Sequence, residues 1–271
     1  MKSPAAKISR TAQEFERRAA RAELLARPGA AAEGPLAFAA GLYRVQARVA
    51  DTLESGHASQ PLSGHLAEDV EALLASSSAV LRYVAEEGPE ELAQQARERQ
   101  KDLPSSVQAR LQVYWTGNRS SAEDYLSRAI LRPYVEFLRC LNVAPDRVHR
   151  RGQCPFCGGM PWVAARREGS AMEGARRMLA CALCGGEWFF GRILCPSCFE
   201  EDPHKLPHFQ DDRHPVVRIE ACETCHRYVK SIDLSEDARP IPEVDELVSL
   251  AMDLWAVEQG YTRIEPGLAG L

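Results

Sequence analysis

The sequence predicts an α+β chain: an N-terminal helical domain, two tandem cysteine-bearing β modules and a C-terminal helix. Two observations carry that prediction. Residues 1–145 repeat apolar side chains at helical spacing. Beyond them, glycine, proline and short β-type runs gather around four Cys-x-x-Cys pairs. The boundaries read as 1–145 for the helical domain, 146–192 and 193–237 for the two modules, and 238–271 for the closing helix and tail.

The first helix is expected over Thr11–Ala26, where Phe15, Ala19 and Ala22 share a face and Pro28-Gly29 stops the run. A second spans Leu36–Leu53 and ends before Ser55-Gly56; a third covers His65–Val84 and ends at Gly88-Pro89. Shorter helices fall at Glu90–Arg99 and Ser105–Tyr114. Ser120 and Glu123 have the spacing of a capping box, which opens a helix that Pro133 is expected to kink before Val135, Phe137 and Leu138 resume the pattern. Cys140, alone in this apolar segment, reads as a buried thiol.

In the cysteine-bearing half, strands are expected at Pro161–Arg167 and Arg177–Ala180 around a turn at Glu168–Gly174, with a third at Glu187–Leu194. The second module offers His204–Gln210, Val216–Glu220 and Arg227–Leu234. A final helix opens at Pro242 and runs to Gln259 before Gly260, with Val244, Leu247, Val248, Ala251, Leu254 and Trp255 on one apolar stripe.

The pairs Cys154/Cys157, Cys181/Cys184, Cys195/Cys198 and Cys222/Cys225 form C-x2-C-x23-C-x2-C twice, with 10 residues between the copies. A Cys-x-x-Cys turn aims two thiolates at one point, and two such turns complete a tetrahedral site. Identical internal spacing marks a duplicated unit. Gly158-Gly159 and Gly185-Gly186 follow two of the pairs, where the backbone must curl tightly and glycine allows positive φ. The eight cysteines are therefore the candidate ligands of two metal ions per chain, in a three-stranded zinc-ribbon or rubredoxin-like pattern. Thioredoxin-type chemistry needs a single pair at a helix start, and disulfides do not suit a cytoplasmic chain. Zinc is the default for four thiolates, and a lone iron is its rival; the sequence leaves the two open. His226 reads as a surface residue, since four thiolates are already available.

The net charge of -5 is uneven. Residues 1–150 hold 20 Lys+Arg against 19 Asp+Glu, and residues 151–271 hold 13 against 19. Two divalent ions in four thiolates each would bring the second part to about -10. That balance argues against nucleic-acid binding, which needs a basic face. Arg166, Arg167, Arg176 and Arg177 face one another across the first hairpin, either as solvated side chains or as a grip for an acidic partner. No apolar run is long enough for membrane insertion, and no hydrophobic segment follows Arg17-Arg18, so a cytoplasmic location is expected.

CPFCGGMP at Cys154–Pro161, CALCGGEW at Cys181–Trp188, RILCPSC at Arg192–Cys198 and EACETCHRYVK at Glu220–Lys230 resemble the formate dehydrogenase accessory protein family of the FdhE type. The AMDLWAVEQGY ending of the last helix adds to the likeness. The resemblance implies a cytoplasmic assembly factor that binds the catalytic subunit of respiratory formate dehydrogenase before its twin-arginine export, with rubredoxin-like metal sites. It implies no catalytic residue, and the sequence itself shows neither a phosphate-cradling loop nor a dinucleotide fingerprint. The alternative is a rubredoxin-like redox or electron-transfer protein.

Overall fold

The computed structural model describes residues 9–117, 119–120, 123–169 and 175–270. Six helices come first: α1 (Arg10–Leu25), α2 (Glu33–His57), α3 (Leu66–Glu87), α4 (Glu90–Arg99), α5 (Pro104–Trp115) and α6 (Tyr125–Leu141). The first five begin within about three residues of their expected starts, while α6 begins at Tyr125, five residues after the Ser120 of the expected capping box. Helix α2 runs through Ser55-Gly56 to His57, and α6 continues through Pro133 as one helix. The expected capping box is half present. Glu123 accepts from the Ser120 backbone at 2.9 Å, but Asp124 caps the helix by accepting from Ser127 N at 3.0 Å. Ser121 and Ala122 lie outside the described residues.

Cys140 is exposed, contrary to the expectation of a buried thiol. The buried run of α6 ends at Leu138, and Cys140 sits in the last turn facing outward, where it accepts from Thr11 Oγ1 at 3.3 Å.

The strands are β1 (Pro161–Arg167), β2 (Arg176–Cys181), β3 (Glu187–Phe189), β4 (His208–Gln210), β5 (Val217–Cys222), β6 (Arg227–Leu234) and β7 (Thr262–Arg263). Of the predicted turn at Glu168–Gly174, residues 170–174 lie outside the described residues. Strand β3 is shorter than expected, and a 3-10 turn at Pro203–Lys205 replaces the start of the expected fourth strand.

The two modules join into one sheet of order β3-β2-β1-β6-β5-β4, with β7 also paired to β6. Within each module the pairing is antiparallel; the junction, β1 with β6, is parallel from Val163↔Lys230 to Arg167↔Leu234. The order repeats the same three-strand unit side by side, as the duplicated cysteine spacing implies. The joined strands have seven and eight residues, whereas the outer strands β3 and β4 have three each. Short edges leave little unpaired backbone for unwanted pairing.

The four hairpin arginines divide: Arg176 and Arg167 lie on the exposed side of the hairpin, while Arg166 and Arg177 reach across to the second module. Arg166 and Arg177 do lie opposite one another, as do Arg167 and Arg176. Arg166 pairs with Asp233 at 2.9 Å, and buried Arg177 pairs with Glu220 at 2.7 Å, so both staple the first module to the second. Arg167 pairs with Glu187 at 2.7 Å on the exposed edge. Arg177→Ala would leave the largely buried Glu220 short of its strongest partner and is expected to cost about 3 kcal/mol. Arg167→Ala should cost no more than about 1 kcal/mol. Urea titrations of the two variants check the ranking.

The final helix is interrupted. Helix α7 (Pro242–Asp245) gives way to a 3-10 turn at Glu246–Ser249 and then to α8 (Leu250–Glu258). The buried Lys230 Nζ takes the Glu246 carbonyl at 2.7 Å, which holds the turn open. Four 3-10 residues advance the chain about 80° further than four α residues, so the predicted apolar stripe rotates out of phase. Val244 and Leu247 are buried, but in α8 the buried apolar residues are Met252 and Ala256, while Leu254 is exposed.

One core joins α1 and α2 to the inner sheet face and the closing segment through Phe15, Tyr43, Trp162, Ile219, Ile232 and Val244. A second fills the space among α2 to α6 and takes in the first four cysteines. No described helix is long and apolar enough to cross a membrane.

Candidate metal centres

The structure brings the eight predicted cysteines together in the two predicted sets. Cys154, Cys157, Cys181 and Cys184 form one cluster and Cys195, Cys198, Cys222 and Cys225 the other, with all four Sγ atoms of each within 4.8 Å of one another. Across the first cluster Cys154 lies 3.6 Å from Cys184 and Cys157 3.4 Å from Cys181; across the second, Cys195 lies 3.7 Å from Cys225 and Cys198 3.6 Å from Cys222. These separations are too long for disulfides. A tetrahedron with metal–sulfur bonds of about 2.3 Å has edges of about 3.8 Å, so both clusters fit a single four-thiolate ion.

One backbone device builds all four turns. The residue after the second cysteine has positive φ: Gly158 at 65°, Gly185 at 63°, Phe199 at 65° and His226 at 52°. Its amide donates to the carbonyl of the first cysteine, at 2.9 Å for Gly158, 3.1 Å for Gly185, 3.0 Å for Phe199 and 2.9 Å for His226. Backbone amides also approach sulfur, Leu183 N and Cys184 N to Cys181 Sγ and Ser197 N to Cys195 Sγ, each at 3.4 Å. In the first module glycine meets the left-handed backbone at no steric cost, whereas in the second Phe199 and His226 adopt it against their preference. His226 is exposed, as the sequence reading had it. Gly159 is needed for closeness: a Cβ there would stand 2.6 Å from Cys181 Sγ.

The clusters differ in their surroundings. All four thiols of the first are buried within the helical core. Two arginines clasp its turns, Arg139 of α6 donating through Nε to the Cys184 carbonyl and Arg147, in the segment after α6, donating through Nε to the Cys157 carbonyl, each at 2.9 Å. In the second, Cys198 is exposed and Cys225 half-buried. Its near neighbours include a carboxylate, Glu200, which accepts from Thr224 Oγ1 and is thereby held below the usual range.

Crowding governs the thiols. Hydrogen bonds from Cys157, Cys181 and Cys184 pull the Cys154 thiol far down, donation to Cys154 pushes Cys157 up, and burial pushes Cys181 up. One negative sulfur thus suppresses ionisation of its neighbours, and a bound cation is what lets all four ionise.

The sequence reading missed a layer of buried charge behind these centres. Arg132 on α6 pairs with Glu136 at 2.7 Å and Glu243 at 2.5 Å, and Arg18 on α1 with Glu136 at 2.8 Å. Fully buried Lys230 pairs with Glu246 at 2.8 Å and Asp253 at 2.5 Å, and Arg263 with Glu246 at 3.1 Å. The one available signal was the four-residue spacing of Arg128, Arg132 and Glu136 on an otherwise apolar helix. These groups fasten α1 and α6 to the closing segment and the sheet.

Comparison with known proteins bears on this architecture. The sequence model of the FdhE C-terminal domain matches residues 193–268. A Protein FdhE homolog of Aquifex aeolicus is 32% identical over 120 residues, 44% of this chain and 42% of that one. One from Pseudomonas aeruginosa is 36% identical over 122 residues, 44% and 39%. Protein FdhE of Escherichia coli K12 is 33% identical over 115 residues, 42% and 36%. The matched stretch thus spans about two fifths of the length of these relatives. The crystal structure of the FdhE protein from Pseudomonas aeruginosa shares the fold, with a TM-score of 0.69 and 24% identity over 98% of both chains. Residues 193–268 thus match the sequence model of the FdhE C-terminal domain, and the chain as a whole shares the fold of the FdhE crystal structure.

Proposed function

We propose that this protein is a metal-binding accessory factor for a respiratory formate dehydrogenase, which binds the catalytic subunit in the cytoplasm during its maturation, before twin-arginine export. The observation that supports this most is the presence of two complete four-thiol clusters in a chain carrying the FdhE C-terminal domain. Cys154, Cys157, Cys181 and Cys184 would hold one ion and Cys195, Cys198, Cys222 and Cys225 the other. A bound ion would supply cross-linking of the turns, and iron in either cluster would add one-electron redox chemistry. The reading assigns catalysis to no residue of this chain. Electron transfer is the second reading, favoured by the exposure of Cys198 at the second cluster.

Native mass spectrometry of anaerobically purified protein is expected to show two ions per chain, lost on acidification as the thiolates protonate. A visible absorption band that bleaches on reduction identifies iron; a colourless two-metal protein identifies zinc. Deleting the gene should lower formate dehydrogenase activity without changing transcription of the enzyme, and the catalytic subunit should co-purify with the intact chain. Full enzyme activity in the deletion strain, with no second accessory factor present, would sink the proposal.

A further inference from the structure

A groove of about 610 Å³ is lined by none of the eight cysteines. It lies where the start of α2, the α3–α4 junction and the C-terminal segment meet. Its volume falls within the roughly 300–1,000 Å³ of ligand-sized pockets. Phe38, Leu92 and Tyr125 give it a half-exposed apolar floor. That floor is held in place from behind: Tyr83 stacks on Phe38 with ring centroids 5.6 Å apart and donates to the Phe38 carbonyl at 2.9 Å. Tyr125 Oη donates to the Leu268 carbonyl at 3.2 Å, fixing the opposite wall.

The rim carries one sign of charge. Glu87 and Glu91 stand on the α3–α4 side and Glu123 on the other, with no lysine or arginine among the lining residues. All three are exposed, and among the described residues neither Glu87 nor Glu91 is paired with a cation. Three carboxylates thus ring an apolar floor whose lining residues include no cation. An apolar floor between acidic walls complements a peptide whose apolar side chains are flanked by basic ones.

We propose that this groove docks a short segment of a partner polypeptide in which arginine or lysine brackets apolar residues. The apolar side chains fill the floor over Phe38, Leu92 and Tyr125. The flanking cations meet Glu87 and Glu91 at one end and Glu123 at the other. The client of the proposed function is one source of such a segment, but the groove's specificity stands apart from that reading and from the metal centres.

Gly34 makes a clean test possible. It lines the groove in the first turn of α2, and a Cβ built there meets nothing within 4 Å, so a side chain at this position starts in open space and Gly34→Trp is expected to occupy the groove. The probe is a short fluorescein-labelled peptide with two leucines between flanking arginines, titrated by fluorescence anisotropy with the full-length chain. Wild type is expected to bind, more weakly as salt is raised. Glu87→Gln/Glu91→Gln should lose about fivefold to tenfold in affinity and much of the salt dependence. Gly34→Trp should abolish binding, with unchanged thermal melts and metal content for both variants. A matched peptide with glutamates in place of the arginines should not bind. Failure of wild type to bind the arginine peptide, equal binding of the glutamate peptide, or undiminished binding by folded Gly34→Trp would each overturn the proposal. A deletion phenotype would be unaffected by that outcome, so the two readings fail separately.

Discussion

Cys181→Ser is expected to collapse the junction between the helical domain and the sheet, whereas Cys198→Ser should leave that junction standing. Cys181 is fully buried, its sulfur receives two backbone amides, and its cluster belongs to the same core as Leu131, Val135 and Leu138 of α6. Losing one of four thiolates forfeits most of the binding free energy of its ion, on the order of 10 kcal/mol for structural four-ligand sites. That exceeds the total stability of a typical domain, about 5–15 kcal/mol, at its lower end. The Arg139 and Arg147 clasps would lose the fixed carbonyls on which they close. Cys198, by contrast, is exposed, and the strands behind it are held by the β1–β6 pairing and the Arg177–Glu220 ion pair. The same asymmetry predicts the order of metal removal: a chelator should take the second ion first and the first only on unfolding. Native mass spectrometry during chelation, with limited proteolysis of both variants, reads the two effects. Equal proteolytic sensitivity of Cys181→Ser and Cys198→Ser would contradict the argument.

Lys230→Met should be the most damaging change outside the cysteines, at about 3–5 kcal/mol. The Lys230 ammonium is wholly enclosed by Glu246, Ser249 and Asp253, and it takes the carbonyl that interrupts the closing helix. Removing it leaves two buried carboxylates to share Arg263, with Tyr228 donating to Asp253 at 2.9 Å. Lys230→Met/Asp253→Leu should recover part of the loss, because an apolar pair of similar volume needs no charge compensation. Urea midpoints of the two variants give the comparison; a double variant no better than the single would refute the charge argument. Acid should act on the same layer. Burial works against the charge of Glu246, but Arg263 and Lys230 outweigh it and hold the carboxyl below its ordinary 4.5. Glu136 is likewise lowered by Arg18 and Arg132 against the effect of burial. A depressed carboxylate contributes stability that is full above its unfolded value and lost as pH falls through the folded one. The contribution of this layer should therefore be intact at neutral pH and disappear only below 4.5.

The sequence by itself determined the two four-cysteine clusters and most of the elements. A Cys-x-x-Cys turn is local, so spacing alone pairs Cys154 with Cys157 and Cys181 with Cys184, and the duplication groups the pairs into fours. Apolar periodicity is local too, which is why α4 and β6 fall where the residue pattern places them. The parallel junction of β1 with β6, the stapling role of Arg166 and Arg177, and the break at Glu246–Ser249 were decided only by the tertiary structure. Each depends on a partner distant in sequence. Lys230, for example, reaches a carbonyl sixteen positions away and there outcompetes the helix for its own backbone. A charge looks solvated in a sequence until the fold supplies its counter-charge, and burial then makes that pair worth more than any surface position could.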